Sequence, residues 1–263
     1  MYPLALLEGQ GMGTAYEYYS KLRVMYSVFS RTGAPHSMVV VGLPEKHGYD
    51  LDFVLLAHEL RTLGGRHCPL RVHEDRPDVL TDFCRTLQEL PDPAMREQIE
   101  LGRIDSLIDW PPLTSSRFDW VVSTASVQRL PDNEIVTYIQ RARQTANYAF
   151  LFIPNSGNRA HLTLSGLRGL DIDRVLALCR QAARADGTHP PVIAAGYCDI
   201  PPFPPGLERS QEAKERAMHS PIETLAMWVL EWWCRGESLI PRFLKKRLAH
   251  LIYVALDLRE DAV

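Results

Sequence analysis

The sequence predicts a doubly wound α/β fold, a mostly parallel sheet with helices on both faces. Short runs of β-branched and aromatic residues alternate with stretches whose apolar residues recur at helical spacing, and glycine or proline stands between them. Strands alternating with helices in this way imply right-handed βαβ units. No linker-like stretch divides the 263 residues, so a single sheet is expected to organise the chain.

Met38 to Val41, stopped by Gly42, reads as a buried first strand. After the loop Leu43 to Gly48, Phe53, Leu56, Leu60 and Leu63 share one helix face, and Gly64 and Gly65 end it. Leu70 to Glu74 is a second strand, followed by a helix from about Asp78 with Val79, Phe83 and Leu87 inward. Ile99 to Asp105 reads as a third strand and Phe118 to Ser126 as a fourth. Asp132 is placed to cap the next helix, whose inner face is Ile135, Ile139 and Ala142. Tyr148 to Pro154 is a fifth strand, and a helix over 171–185 carries Ile172, Val175, Leu176 and Cys179. Val192 to Asp199 is a sixth strand, the proline-rich loop 201–206 follows, and Pro221 to Trp233 reads as a helix with Ile222, Leu225, Ala226 and Val229. A basic helical segment, Arg242 to Arg247, leads into a last strand, His250 to Leu256. Residues 1–37, with Tyr16, Tyr18, Tyr19 and Tyr26 on a helix, read as an N-terminal extension of a domain spanning 38–263; Pro3 to Leu7 is the one stretch there that could be a strand.

The chain is 46% apolar and 23% charged, which excludes disorder, collagen and a small disulfide scaffold. Its 29 Lys+Arg against 32 Asp+Glu leave −3, so no global field favours nucleic acid. No apolar run reaches the ~18 residues that span a bilayer, and the opening MYPLALLEG has no basic residue before its apolar stretch, unlike a signal peptide. A soluble cytoplasmic protein is expected. Cys68, Cys84, Cys179, Cys198 and Cys234 stand singly, without zinc spacing, and read as reduced, buried apolar residues with no metal.

In a doubly wound sheet, ligands bind beyond the carboxyl ends of the strands. That edge collects Gly42 to Tyr49, Glu74 and Asp75, Asp105, Ser123 to Gln128, and Asn155 to His161. His161 is the candidate general base, because imidazole titrates near neutrality; His47 is a weaker one, and His73 reads as structural. Asn155 and Asn158 read alternatively as turn residues, because asparagine bonds its own backbone readily. EGQGMGTAYEYY, residues 8–19, has two readings. Gly9, Gly11 and Gly13 could bring backbone over a ligand, with Tyr16 and Tyr19 closing the site as a lid. Alternatively they make a plain turn before a packing helix. The segment 227–247 sets Trp228, Trp232 and Trp233 near Arg242, Lys245, Lys246 and Arg247. That suits a membrane surface or a protein partner; the preferred reading is a helix whose tryptophans fill the core and whose cations are solvated.

RFDWVVSTASVQRLPDNEIVTYIQRAR (117–143), YAFLFIPN (148–155) and KKRLAHLIYVAL (245–256) resemble the class I S-adenosylmethionine-dependent methyltransferases, and the resemblance extends over about residues 15–258. It implies a Rossmann-like seven-stranded sheet whose last strand runs antiparallel, with S-adenosylmethionine as cofactor. Gly42, Gly48 and Tyr49 would then belong to the first loop and Glu74, beside Asp75, would hold the ribose hydroxyls. Asp105 would face the adenine amino group, and Ser123, Thr124 and Gln128 would line the pocket. The first loop is degenerate: VVVGLPEKHGYD has Val40 where the family carries an acid, and only two of its glycines. STAS, at the end of the fourth strand, lacks the Asn/Asp-Pro-Pro-Tyr/Phe tetrapeptide of nucleobase-modifying relatives. The implied activity is methyl transfer to a small, possibly lipophilic, acceptor. A methyltransferase-like scaffold without catalysis and another nucleotide-dependent Rossmann-type transferase are the alternatives.

Overall fold

A computed structural model describes residues 2–46, 48–65, 68–110, 117–183, 187–203 and 221–259. The strands are β1 (Met38–Val41), β2 (Leu70–Glu74), β3 (Ile99–Arg103), β4 (Phe118–Thr124), β5 (Ala146–Pro154), β6 (Val192–Cys198) and β7 (Leu251–Asp257). They form one sheet in the order β3-β2-β1-β4-β5-β7-β6. Neighbours from β3 to β5 pair in parallel, whereas β7 lies antiparallel between β5 and β6. The expected doubly wound, seven-stranded sheet with one reversed strand is therefore the observed one.

The period of two in the strands sorts their side chains into two cores. Met38, Val40, Trp120, Val122, Phe150 and Phe152 face one side. There they meet α1 (Tyr2–Leu7), α2 (Met12–Thr32), α3 (Leu51–Gly64), α4 (Pro77–Gln88) and α5 (Pro93–Arg96). Trp120 stacks between Tyr148 and Phe150 at ring-centroid distances of 4.8 and 5.0 Å, so the centre of this face is aromatic. Val39, Val41, Val121, Leu151 and Ile153 face the other side, against α6 (Asp132–Thr145) and α8 (Ile172–Gln181). A short α7 (Arg159–Ser165) follows β5, and α9 (Pro221–Gly236) and α10 (Arg242–Leu248) precede β7.

Four local expectations are corrected. Pro3 to Leu7 is helical, and Tyr2, Leu4, Ala5 and Leu6 are buried in the first core, so residues 2–32 form part of a layer on the sheet. The α6 N-cap is Pro131; Asp132 is the first helical residue, and its carboxylate takes Arg168 and Arg174 instead. The helix expected over 171–185 ends at Gln181, with Asp171 capping it by accepting from the Asp173 amide at 2.9 Å. The preferred reading of the tryptophans as core-filling is also wrong. Trp228 and Trp232 are each 56% exposed and Trp233 42%, because α9 buries Met227, Leu230 and Cys234 instead. His47 and residues 204–206 lie outside the described residues. The five cysteines are free thiols, all buried except the half-buried Cys84.

Candidate functional site

The carboxyl edge of the sheet has two distinct parts. The first is the crevice at β1, β2 and β4, where the strand order reverses. Gly42 leaves β1 at φ +80°, a conformation that favours glycine. A Cβ there would lie 2.8 Å from Leu107 Cδ2 and 2.9 Å from Ser126 Cβ. Leu107 therefore seats directly on the glycine backbone. Glu74, fully buried at the end of β2, accepts from the Leu43 amide at 2.5 Å and from the Arg76 amide at 2.9 Å. The Arg76 guanidinium also donates to both Glu74 oxygens and to the carbonyls of Leu43 and Pro44. Arg129 completes the group, donating to Asp75 at 2.8 Å.

Ser123 and Ser126 hydroxyls share a 2.5 Å hydrogen bond at the end of β4. Buried Gln128 donates to the Ala125 carbonyl at 2.7 Å, while its own Oε1 has no partner among the described residues. Ala125, at φ +44°, marks the tight turn that brings these side chains together. Glu74, Asp75, Ser123, Thr124, Gln128 and Gly42 thus lie together at the ends of β1, β2 and β4. Asp105 lies just past β3 and is exposed. Tyr49 packs on Phe83, with ring centroids 6.0 Å apart.

Below the first loop sits a buried ionic cluster that sequence reading missed. Lys21 of α2 is fully buried, with its ammonium 2.6 Å from Asp50, 3.3 Å from Asp52 and 3.4 Å from Glu17. Burial works against its charge, but the carboxylates outweigh burial and hold its pKa above the usual lysine range. Burial pushes Asp50 up to about 6 despite Lys21. The 8–19 segment meets the first loop through Glu8. Glu8 accepts from the Leu51 amide at 3.0 Å and from the Tyr18 hydroxyl, and it fills the space beside Gly48. Burial raises its pKa to about 7. Gly11 is the α2 N-cap, two residues before Gly13 in the helix's first turn. Tyr16 turns away from the crevice to donate to buried Glu237, and burial lifts the pKa of Tyr19, with the charges of Glu231 and Cys234 adding to it. Tyr16 thus meets a carboxylate just past the end of α9 rather than the first loop.

The second part lies at the ends of β5 and β6 and the start of β7. A cavity of about 730 Å³ is lined by Ile200, Phe203, Trp233, Leu244 and Leu248, with Arg159, Arg247 and His250 among its polar groups. His250 Nδ1 lies 3.0 Å from Asp199 Oδ2, and Asp199 holds a left-handed backbone at φ +62°. Burial lowers the His250 pKa, but Asp199 outweighs it and the net shift is upward. His161 stacks on His250, with ring centroids 4.1 Å apart and planes within 13°. Asn158 caps α7 by accepting from the His161 amide, and Asn155 Nδ2 donates to the carbonyls of Lys246 and Ala249. Both asparagines fasten turns, as expected. Lys46 of the first loop donates to the Ser165 carbonyl of α7, linking the two parts of the edge.

No protein-family model and no curated protein matches the chain. Solved structures do. The methyltransferase domain of bacterial CtHen1-CN is 11% identical with a TM-score of 0.54, over 90% of this chain and 97% of that one. The plantazolicin methyltransferase BpumL, solved with SAH, is 11% identical with a TM-score of 0.52, over 96% and 88%. Magnesium protoporphyrin IX methyltransferase (ChlM) from Synechocystis PCC 6803, also with bound SAH, is 7% identical with a TM-score of 0.50, over 93% and 83%.

Proposed function

We propose that this chain, which has the fold of the class I S-adenosylmethionine-dependent methyltransferases, binds S-adenosylmethionine and transfers its methyl group to a small, lipophilic acceptor. The observation that carries the reading is Glu74, a buried carboxylate at the carboxyl end of β2 beside the switch point. A carboxylate with two acceptor oxygens suits a vicinal diol. The crevice offers two acceptors of the right chemistry: Glu74 would hold the ribose hydroxyls once Arg76 yields them, and the unpartnered Gln128 Oε1 could accept from an amino group. The bound cofactor supplies an electrophilic methyl on sulfur.

The chain's own residues would orient and deprotonate the acceptor. The apolar walls of the second cavity suit a lipophilic body. His161, stacked on a histidine that Asp199 orients, is positioned to take a proton at its imidazole nitrogen. Most of the rate enhancement would come from holding two reactants in line.

Calorimetric titration with S-adenosylhomocysteine tests the reading. Binding is expected, and Glu74→Gln weakens it by about 1.5–3 kcal/mol, the worth of charged hydrogen bonds. An intact protein that takes up no S-adenosylhomocysteine overturns it. A second reading, a binding scaffold without catalysis, is favoured by Arg76 on Glu74 and Leu107 on Gly42, which fill the crevice from within. Its signature is cofactor-independent partner binding with no turnover.

A further inference from the structure

Helix α9 is apolar on two opposite faces. Met227, Leu230 and Cys234 enter the core, whereas Leu225, Trp228, Val229 and Trp232 form a second stripe at helical spacing on the solvent side. Past the helix, Leu239 is 86% exposed and Phe243 68% exposed. Soluble proteins seldom leave so large a contiguous apolar area in water without a use for it.

Over residues 221–249 cations outnumber acids, although Arg235 is ion-paired with Glu231 at 2.5 Å and Lys246 with Asp171 at 3.3 Å. Between Ser238 and Ala249 the sequence holds Arg242, Lys245, Lys246 and Arg247 and no acid. Arg235 stands over the Trp232 ring at 5.8 Å from its centroid, placing a guanidinium on the stripe itself. Trp233 and Leu244 line one cavity together with Arg247, so an indole of α9 and a guanidinium of α10 meet there. No helix among the described residues is long and apolar enough to cross a membrane.

We propose that the α9–α10 face docks on an anionic lipid surface, with Trp228, Trp232, Leu239 and Phe243 entering the headgroup layer and the α10 cations meeting lipid phosphates. Indole rings sit well at that boundary because one edge is apolar and the other carries an N–H donor. Lys and Arg beside them are drawn to anionic headgroups. The same arrangement disfavours a second copy as the occupant: an isologous contact through this face would bring two α10 cation clusters into one interface.

The test is flotation of the full chain with phosphatidylcholine vesicles, with and without phosphatidylglycerol. The chain is expected to float only with phosphatidylglycerol, with a blue shift in tryptophan emission. Arg242→Gln with Arg247→Gln should lower partitioning roughly tenfold or more. Trp228→Ala with Trp232→Ala should abolish it without changing the melting temperature, because both rings are exposed. Equal flotation on phosphatidylcholine, none on either vesicle, or undiminished binding by either double variant overturns the proposal. So does a dimer in sedimentation that Trp232→Ala dissolves.

Discussion

The Arg76 guanidinium lies across the Glu74 carboxylate, with Nε 2.7 Å from Oε1 and Nη2 3.2 Å from Oε2. A residue two positions along the chain thus occupies the acceptor oxygens that a ligand diol would need. Arg76→Ala should have two opposed effects. Stability should fall by about 2–3 kcal/mol, less than stripping a fully buried pair, because Arg129 remains 3.8 Å from Glu74. S-adenosylhomocysteine should bind more tightly, since Glu74 no longer has to release the guanidinium. Denaturant titration and calorimetry read the two separately. Weaker binding in the variant would mean that Arg76 braces the site rather than competing for it.

Glu8 should set a pH dependence of stability. Its folded pKa, raised by burial to about 7, lies above the unfolded value, so the folded state favours the protonated acid. Its contribution is full below about pH 4.5 and is lost as pH climbs through about 7. Glu8→Gln keeps the acceptor for the Leu51 amide and removes the ionisation. The variant should be about 2–3 kcal/mol more stable than the wild type at pH 8 and indistinguishable from it near pH 4. Urea titrations at the two pH values check this.

The His250–Asp199 pair should be visible by NMR. Asp199 outweighs burial and raises the His250 pKa, with the charges of Glu17 and Glu237 acting in the same sense. The pair stabilises the fold below the ordinary histidine pKa, and that contribution is lost as pH rises through the raised value. Asp199→Asn tolerates the left-handed backbone. It should move the imidazole titration midpoint downward. An unmoved midpoint would show that the other carboxylates, not Asp199, hold the proton.

Gly42→Ala should destabilise by about 2–3 kcal/mol, from a strained positive φ and contact with Leu107 and Ser126. Leu107→Ala in the same chain should recover part of the loss. Additive losses in thermal melts would place the strain in the backbone alone.

The central strands were legible because each is a short β-branched or aromatic run closed by glycine, proline or a polar turn, as in Met38–Val41 and Ala146–Pro154. The residues that gather at the ends of β1, β2 and β4 were legible through the same strand boundaries. What escaped detection depends on partners distant in sequence. Lys21 lies 29 residues from Asp50 and Asp199 lies 51 from His250, so neither pairing leaves a local pattern. Leu4 and Leu6 alternate with Ala5 as a strand would, yet all three are buried at helical geometry against α2 and α3. The α9 tryptophans misled because large apolar residues are usually internal; a helix apolar all round gives no hint of which face meets water.

The place of β7 between β5 and β6 bears on how the chain assembles. In a chain synthesised from its amino end, β6 has no neighbour in the sheet until β7 arrives about fifty residues later. Until then the sheet ends at β5, whose inner edge lies open beside Tyr148, Phe150 and Phe152. An unpaired aromatic strand of this kind invites association with other chains. The interval between synthesis of β6 and of β7 is therefore when the sheet is most open to pairing with another chain.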